Sequence, residues 1–297
     1  MQPASVALFA PGLKERVMTK AMESGADAVI LDLEDSVLLA SKPEARALVA
    51  KTIDDAAGRD GGLAIWVRVN AAATEFLEGD LEAVVRPGLD VVLLPKAETI
   101  EDMQRTAAAI ERHETAHKMK PGSVAIVPMI ESALGVRNCF DLIKAAPRVA
   151  ATCFGSARDG DLQTDLGCAW SIEGTELLYA RAKVLLDTRA AGSQLIPLDG
   201  VFSDLNDEAG LIADSKLSAR LGYVGRTIIH PKQIALVRQA YAVPESEVAY
   251  YRKVATEFEA AEKTGSAAIT VDGKLVDYAM FQRAKRVLDL AKRDAGQ

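Results

Sequence analysis

The chain has 297 residues, of which 49% are hydrophobic and 26% are charged, so it can bury a large core. Its 35 basic and 42 acidic residues give a formal net charge of −7, which argues against nucleic acid or an anionic membrane as a partner, because both attract basic surfaces. No stretch reaches the roughly 18 apolar residues of a membrane span, and residues 1–5 lack the basic start of a targeting signal. We therefore expect a cytoplasmic protein.

Eight short apolar segments recur along the chain, with room for a helix after each of them. They are rich in Val, Ile, Leu and Ala on both alternating faces, which is typical of parallel strands buried in a sheet. The segments begin near Val6, Ala28, Ala64, Val91, Val124, Val149, Leu195 and Val224.

The stretches between these segments have the apolar spacing of amphipathic helices. The predicted helices cover residues 14–24, 43–57, 100–119, 136–145, 173–191 and 207–221. Strands that alternate with helices predict a (β/α)8 TIM barrel over residues 1–243, and about 250 residues is the usual size of that fold. An open doubly wound sheet is the alternative. It is disfavoured because no GxGxxG motif follows the first strand and because polar strand ends are spread along the whole chain.

Residues 244–297 exceed what a barrel needs and form a predicted C-terminal helical extension. A long helix is expected over residues 245–263 and another over residues 276–291, with a short small-residue segment at 265–271 between them. Asp272-Gly273 is a turn signal. The extension is interpreted as a lid or an oligomer arm.

Carboxylates follow two neighbouring predicted strands at the point where each strand ends. Glu131 ends an uncharged run of seven residues, and Asp159 and Asp161 lie in the predicted loop 156–165 after the next strand. Neighbouring strands lie about 5 Å apart, so Glu131 and one of these aspartates would meet at the mouth of a barrel. Two carboxylates suit Mg²⁺, which fills its other positions with water and substrate. The alternative for Glu131 is a salt bridge at the rim.

Arg68 also ends a predicted strand, and either a structural ion pair or an anionic substrate would suit its guanidinium. The acidic cluster of Asp32, Glu34 and Asp35 requires nearby cations, because like charges this close repel one another. We expect Asp35 to pair with one of two basic residues in the next predicted helix, Lys42 or Arg46.

Lys96 follows the fourth predicted strand, where it would suit the Schiff-base lysine of a class I aldolase. Nothing around it in the sequence indicates a depressed pKa. This reading is therefore kept only as an alternative.

A collinear set of short motifs covers nearly the whole chain and resembles the citrate lyase β-subunit-like family of CoA-ester lyases, within the HpcH/HpaI aldolase superfamily. The motifs are Leu8 to Gly12, Gly25 to Val37, Lys42 with Ala45-Arg46, Val67 to Asn70, Leu94 to Lys96, Pro128 to Glu131, Phe154-Gly155, Asp161-Leu162, Asp165 to Gly167, Tyr179 to Arg181, Ile229 to Ile234 and Asp272 to Asp277. No single motif is specific, but their order is. The absence of a histidine near the second strand end favours the CoA-ester branch over the pyruvate-aldolase branch.

The resemblance implies a Mg²⁺-dependent barrel that makes or breaks a carbon–carbon bond in a β-hydroxyacyl-CoA such as citryl-, citramalyl- or malyl-CoA. The products of cleavage would be a 2-oxoacid and acetyl-CoA. By similarity, Glu131 and Asp161 would hold the metal, Glu131 would thereby also contact the substrate, and Arg68 would bind the carboxylate or carbonyl end of the substrate. Asp277 matches an aspartate that reaches a neighbouring subunit's site, and it is the candidate general acid or base. A homotrimer or hexamer is implied.

Two departures from the family pattern matter. The loop after Phe154-Gly155 is longer than usual before its aspartate, so Asp159 is an alternative to Asp161 as the metal ligand. The usual arginine pattern after the first strand is changed, which leaves Lys14, Arg16 and Lys20 as candidates for binding CoA phosphates. Two rival functions stay open: a metal-dependent 2-oxoacid aldolase acting on free acids, and a non-catalytic CoA-binding subunit.

Overall fold

The structure, a computed structural model, describes residues 5–58 and 62–294. In these ranges eight parallel strands close a barrel in chain order, and the last strand pairs with the first. The strands are β1 (Val6–Pro11), β2 (Ala28–Asp32), β3 (Ala64–Arg68), β4 (Val91–Leu94), β5 (Ala125–Ile130), β6 (Ala151–Phe154), β7 (Ile196–Asp199) and β8 (Gly225–Ile228). The predicted TIM barrel is confirmed, and each strand begins within two residues of its predicted start. The expectation about a targeting signal falls mainly on residues 1–4, which lie outside the described residues.

Helices surround the barrel. They are α1 (Glu15–Met22), α2 (Lys42–Ala56), α3 (Leu77–Val84), α4 (Ile100–Ala116), α5 (Ala133–Lys144), α6 (Asp161–Leu166), α7 (Leu178–Ala191), α8 (Glu208–Leu221) and α9 (Gln233–Tyr241). The sequence analysis did not predict α3, α6 or α9, which have six to nine residues and therefore show only a weak apolar period. Residues 161–165, predicted as loop, are therefore helical. The predicted helix 173–191 begins later, at Leu178, because Gly174 before it has a left-handed φ of 65°.

The inside of the barrel decides where the strand-end residues point. Ile30 and Trp66 are register partners in β2 and β3, and both belong to the apolar cluster that fills the barrel. Side chains of a strand alternate between its two faces, so residues two positions further on point the same way. Asp32 and Arg68 stand two positions after this pair, at the carboxyl ends of the strands. They therefore project into the mouth of the barrel.

The chain divides after Tyr241 into two compact units. The second contains α10 (Glu245–Lys263), the antiparallel strands β9 (Ala268–Val271) and β10 (Lys274–Asp277), and α11 (Tyr278–Asp294). It has its own apolar core, in which the rings of Phe258 and Phe281 stack with centroids 4.7 Å apart. The helix predicted from residue 276 was wrong at its start, because Val276 and Asp277 complete a β-hairpin. A lid or oligomer-arm role for this unit stays a prediction.

Among the helices of the described ranges, none has both the length and the apolarity to cross a bilayer.

Candidate active site at the barrel mouth

Asp32 and Arg68 form the best-aligned ion pair at the mouth of the barrel. The Nε and Nη2 groups of Arg68 donate to Asp32 Oδ1 at 2.7 Å and Oδ2 at 2.8 Å. Burial opposes the charge of Asp32, but the charge and hydrogen bonds of Arg68 prevail and hold the pKa of Asp32 below its ordinary value. The third nitrogen of the guanidinium, Nη1, lies 3.0 Å from Glu34 Oε2 and 3.4 Å from Asp35 Oδ2. Arg68 thus keeps the acidic cluster together and turns Nη1 toward the mouth.

The expected pairing of Asp35 with Lys42 or Arg46 was wrong. Lys42 is buried, and its ammonium group donates to the main-chain carbonyls of Leu33 at 2.8 Å and of Glu34 at 3.2 Å. Arg46 binds Asp80 on α3, with Nε 2.7 Å from Oδ1. Lys42 therefore binds main-chain carbonyls and Arg46 binds a carboxylate of another helix. The exposed Asp35 faces Arg68 instead.

Glu131 is buried directly after β5, next to the end of β6. A Cβ atom on Gly155 would lie 2.4 Å from the Cβ of Glu131, so only glycine fits beside this carboxylate. The Oε1 atom of Glu131 accepts the main-chain N–H of Lys96 at 2.9 Å. Burial, and then the charge of Glu34, raise the pKa of Glu131 to about 8. A buried carboxyl group in this environment favours a nearby cation or a proton.

Lys96 follows β4 and connects the carboxylates of three different loops. Its φ of 48° is in the left-handed region, and its Nζ atom lies 3.3 Å from Glu34 Oε1 and 3.4 Å from Asp161 Oδ2. Burial opposes its charge, but the carboxylates of Glu34, Asp35 and Asp161 prevail and raise the pKa of Lys96. A Schiff-base lysine needs the opposite shift, so this environment speaks against the class I aldolase alternative.

Asp159 and Asp161 have different surroundings. Asp161 is the first residue of α6, its side chain is 48% exposed, and its charge is one of those that raise the pKa of Glu131. Asp159 has a left-handed φ of 58°, is 80% exposed and lies 3.7 Å from the Nε of its neighbour Arg158. The structure therefore groups Asp161, and not Asp159, with Glu131. The metal-binding role of either aspartate stays a prediction.

The donors at the mouth fit a divalent cation with few protein ligands. Within residues 5–58 and 62–294, no group of three or more His, Cys, Asp or Glu side chains is arranged to hold a metal. Mg²⁺ often takes only one or two carboxylates, and Glu131 and Asp161 are the two that the sequence analysis predicts for it. The Oε2 atom of Glu34 is buried without a hydrogen bond, although Arg68 Nη1 lies 3.0 Å away. The site thus contains a buried carboxylate oxygen that its hydrogen bonds leave unsatisfied.

The remaining candidates lie on exposed positions. Lys14 directly precedes α1, and Arg16 and Lys20 stand one turn apart on that helix, all three exposed. Lys20 lies about 9 Å further along the helix axis than Lys14. Asp277 ends β10 in the second unit, where its exposed carboxylate accepts the N–H of Met280 and caps α11.

Glu34 belongs to the site, but the sequence analysis assigned it no role. The signal was present, because Glu34 belongs to the acidic cluster for which cations were expected. Its partners Arg68 and Lys96 come from the two following strand ends, so they are distant in sequence and adjacent in the barrel.

Residues 5–231 match the family described as HpcH/HpaI aldolase/citrate lyase, and residues 184–293 match one described as a carbon–carbon bond lyase of the TIM-barrel fold. Citrate lyase subunit beta of Escherichia coli (strain K12) is 38% identical over 285 residues, covering 96% of this chain and 92% of that protein. Mitochondrial citramalyl-CoA lyase of Homo sapiens is 30% identical over 299 residues, covering 97% and 86%. The crystal structure of CitE from Mycobacterium tuberculosis, in complex with magnesium, acetoacetate and coenzyme A, has a TM-score of 0.77 at 28% identity and covers 98% of this chain and 99% of that one.

The closed parallel barrel, together with these matches, identifies a carbon–carbon lyase of the TIM-barrel fold. This chain belongs to the HpcH/HpaI aldolase/citrate lyase family. The resemblance to citrate lyase β-subunit-like CoA-ester lyases is confirmed, and so is the prediction that the chain is an enzyme.

Proposed function

We propose that the chain is a Mg²⁺-dependent lyase that cleaves or forms a β-hydroxyacyl-CoA such as citryl-, citramalyl- or malyl-CoA, with a 2-oxoacid and acetyl-CoA on the other side of the reaction. The observation that carries this proposal is the buried carboxyl group of Glu131 beside Glu34, in a mouth that also presents Asp161 and Arg68. The relatives support it, since one is a citramalyl-CoA lyase and one solved neighbour holds magnesium with coenzyme A.

Glu131 and Asp161 would hold the cation, and Mg²⁺ would supply Lewis-acid polarisation of the 2-oxoacid carbonyl. The main-chain N–H of Lys96 holds Glu131 in place, with its Oε1 atom engaged at 2.9 Å. A proton would have to leave Glu131 before a cation binds near neutral pH, because burial raises the pKa of this carboxyl to about 8.

Arg68 would bind the carboxylate or carbonyl end of the substrate. Two of its nitrogens are held by Asp32, so the group is fixed in direction before substrate arrives. Its remaining nitrogen, Nη1, faces Glu34 and Asp35, and a substrate anion would replace one of these as its partner. A fixed cation of this kind offsets negative charge that develops on oxygen during the reaction.

Asp277 is the candidate general acid or base, delivered from a neighbouring subunit of a homotrimer or hexamer. Cleavage leaves an enolate of acetyl-CoA, which needs a proton, and the reverse direction needs that proton removed. The carboxylate of Asp277 is exposed on its unit, as a group that serves another subunit would be. Lys14, Arg16 and Lys20 would bind CoA phosphates through their exposed charges.

The function is tested by incubating the protein with Mg²⁺ and a panel of hydroxyacyl-CoA esters and free hydroxyacids, and identifying any 2-oxoacid released. We expect release from a CoA ester, its loss on chelation, and a loss of about a thousandfold in Glu131→Gln, since metal polarisation supplies several kcal/mol. Glu101→Gln, at an exposed position on α4, is the matched control. Equal release from free acids would instead identify a 2-oxoacid aldolase. Binding of CoA esters without turnover would identify a non-catalytic subunit.

A further inference from the structure

Helix α6, which begins at Asp161, is anchored by one side chain in the segment before it and one near its C-terminal end. Before the helix, the buried Ser156 donates its Oγ hydrogen to Asp199 Oδ1 at 3.0 Å. In the helix, Asp165 Oδ2 accepts the main-chain N–H of Ala133 at 2.6 Å. These two contacts are fixed points of the chain, one on each side of Asp161.

Asp199, which accepts the hydrogen bond of Ser156, belongs to a ring of four buried charged side chains. Asp199 lies 3.4 Å from Arg181 Nε, and Arg181 Nη2 donates to Asp214 Oδ1 at 3.0 Å. Arg226 Nη2 lies 2.8 Å from Asp214 Oδ2 and donates at 2.7 Å to the carbonyl of Gly200, the residue after Asp199. The two positive and two negative groups balance in charge, which makes their burial tolerable. Such a ring is a rigid base for a loop.

Within this ring, the Oδ1 atom of Asp199 makes the hydrogen bonds of that carboxylate. Oδ1 accepts the Ser156 hydroxyl and also the N–H of Gly200 at 2.8 Å, whereas Oδ2 and Arg181 Nε are buried without a hydrogen bond. A Cβ atom on Gly200 would lie 2.5 Å from the carbonyl of Phe154 and 2.6 Å from the N atom of Ser156. The ends of β6 and β7 are therefore in close contact where the chain leaves toward Asp161.

The second fixed point connects α6 to the loop of Glu131. Ala133 begins α5, two residues after Glu131. The carboxylate of Asp165 binds at this helix N-terminus, where the free N–H groups and the helix dipole favour a negative charge. Asp165 thus fixes α6 directly to the segment that carries the other predicted metal ligand.

We propose that Ser156 and Asp165 are positioning residues, which hold Asp161 close enough to Glu131 for the two to share a divalent cation. The proposal rests on the function proposed above. Neither residue touches the reacting groups: Ser156 acts through Asp199, and Asp165 acts through the N-terminus of α5. Loss of either fixed point lets Asp161 move away and weakens cation binding without removing a ligand.

The test uses the full chain and measures the dissociation constant of Mn²⁺, a paramagnetic probe for the Mg²⁺ site, from the spin-resonance signal of the free ion. Supporting groups around metal ligands typically contribute about 10- to 100-fold in metal affinity, so Ser156→Ala and Asp165→Ala should each weaken binding by about tenfold or more. Asp165→Asn keeps an acceptor oxygen and should bind nearly as the unchanged protein does. Saturating Mg²⁺ should restore the kcat of Ser156→Ala.

Ser218→Ala is the matched control, because this buried serine of α8 accepts a hydrogen bond from Tyr241 of α9 and, within the described residues, makes no hydrogen bond with α6. It should lower the unfolding temperature as Ser156→Ala does and leave the Mn²⁺ affinity unchanged. Unchanged Mn²⁺ affinity in both Ser156→Ala and Asp165→Ala, with binding lost in Asp161→Asn, overturns this inference alone. An unchanged protein that binds no Mn²⁺ overturns the proposed function as well.

Discussion

The main-chain N–H of Lys96 binds the carboxylate of Glu131 at 2.9 Å, so the residue that follows β4 fixes the acidic group that follows β5. The left-handed backbone of Lys96 lets the same residue send its ammonium group to Glu34 and Asp161. One residue thus contacts three carboxylates through two different groups. This arrangement brings three carboxylates together around Lys96. A divalent cation at the site would compete with the ammonium group of Lys96 for these carboxylates.

The two aspartates after β6 should respond differently to the loss of charge. Asp161→Asn should abolish Mn²⁺ binding and turnover, because Asp161 belongs to the carboxylate group around Lys96. Asp159→Asn should leave both within about twofold, because the side chain of Asp159 is 80% exposed and lies 3.7 Å from the adjacent Arg158. Titration of Mn²⁺ into the two variants measures this. The reverse pattern would assign the ligand to Asp159.

Arg68→Lys should lower kcat/KM by about 100-fold or more, the usual effect of removing one fixed donor to a developing negative charge. Lysine keeps the charge but cannot bind both oxygens of Asp32 and still present a further nitrogen. The free energy of unfolding should also fall, by about 1–3 kcal/mol, because buried charge-assisted hydrogen bonds are lost. Kinetics and urea unfolding separate the two effects. A stability loss with unchanged kinetics would make Arg68 purely structural.

The metal-free protein should become less stable as pH rises from about 5 to about 8. The pKa values of Glu131 and Glu34 are raised from 4.5 to about 8 and about 7, so in this window the folded chain holds protons that the unfolded chain has released. Each such proton lowers the free energy of unfolding by up to about 1.4 kcal/mol per pH unit. Urea unfolding with a chelator measures it. Glu131→Gln, which mimics the protonated form, should show a shallower decline, and equal slopes would contradict the shift at Glu131.

The affinity for Mg²⁺ should increase as pH rises, because the cation competes with the protons that the buried carboxyl groups hold at lower pH. Titration calorimetry in buffers of different ionisation enthalpy should show protons released on binding near neutral pH. Binding without proton release would mean that Glu131 is already ionised in the metal-free protein.

Asp277→Asn should lower kcat by about 100-fold or more and change substrate affinity little, as expected for a general acid or base. The asparagine oxygen can still accept the N–H of Met280, so the cap of α11 and the fold should be kept. Asp289→Asn, at an exposed position on the same helix, is the control. Weaker substrate binding with unchanged kcat would argue for a packing role instead.

The barrel could be predicted because buried parallel strands leave a strong local signal. Val91 to Leu94 and Ala28 to Leu31 are apolar at every position, which is typical of a strand covered on both faces. The helices α3, α6 and α9 were missed, since a helix of six to nine residues gives only a weak apolar period, although the eight-residue α1 was predicted. The most consequential of these is α6, because it carries Asp161.

The composition of the site was also accessible to sequence reasoning, but its pairings were not. Glu131 and Arg68 could be singled out because each interrupts an apolar strand with a charge. The partner of Asp35 was misjudged because Lys42 is close in sequence, whereas the actual neighbour, Arg68, comes from the adjacent strand. Lys96 was considered as a nucleophile, and only its contacts with Glu34 and Asp161 show it to be a bridging cation.

What the order of residues determined by itself is the closed barrel and the set of charges at its mouth, because both follow from apolar runs of strand length that end in polar residues. What the tertiary structure decided is which charges meet. Closure of the barrel brings the ends of β2 to β6 within reach of one another, and burial there raises the pKa of Glu131 to about 8. Electrostatic free energy depends on distance and on exclusion of water, and neither quantity exists until the strands are packed.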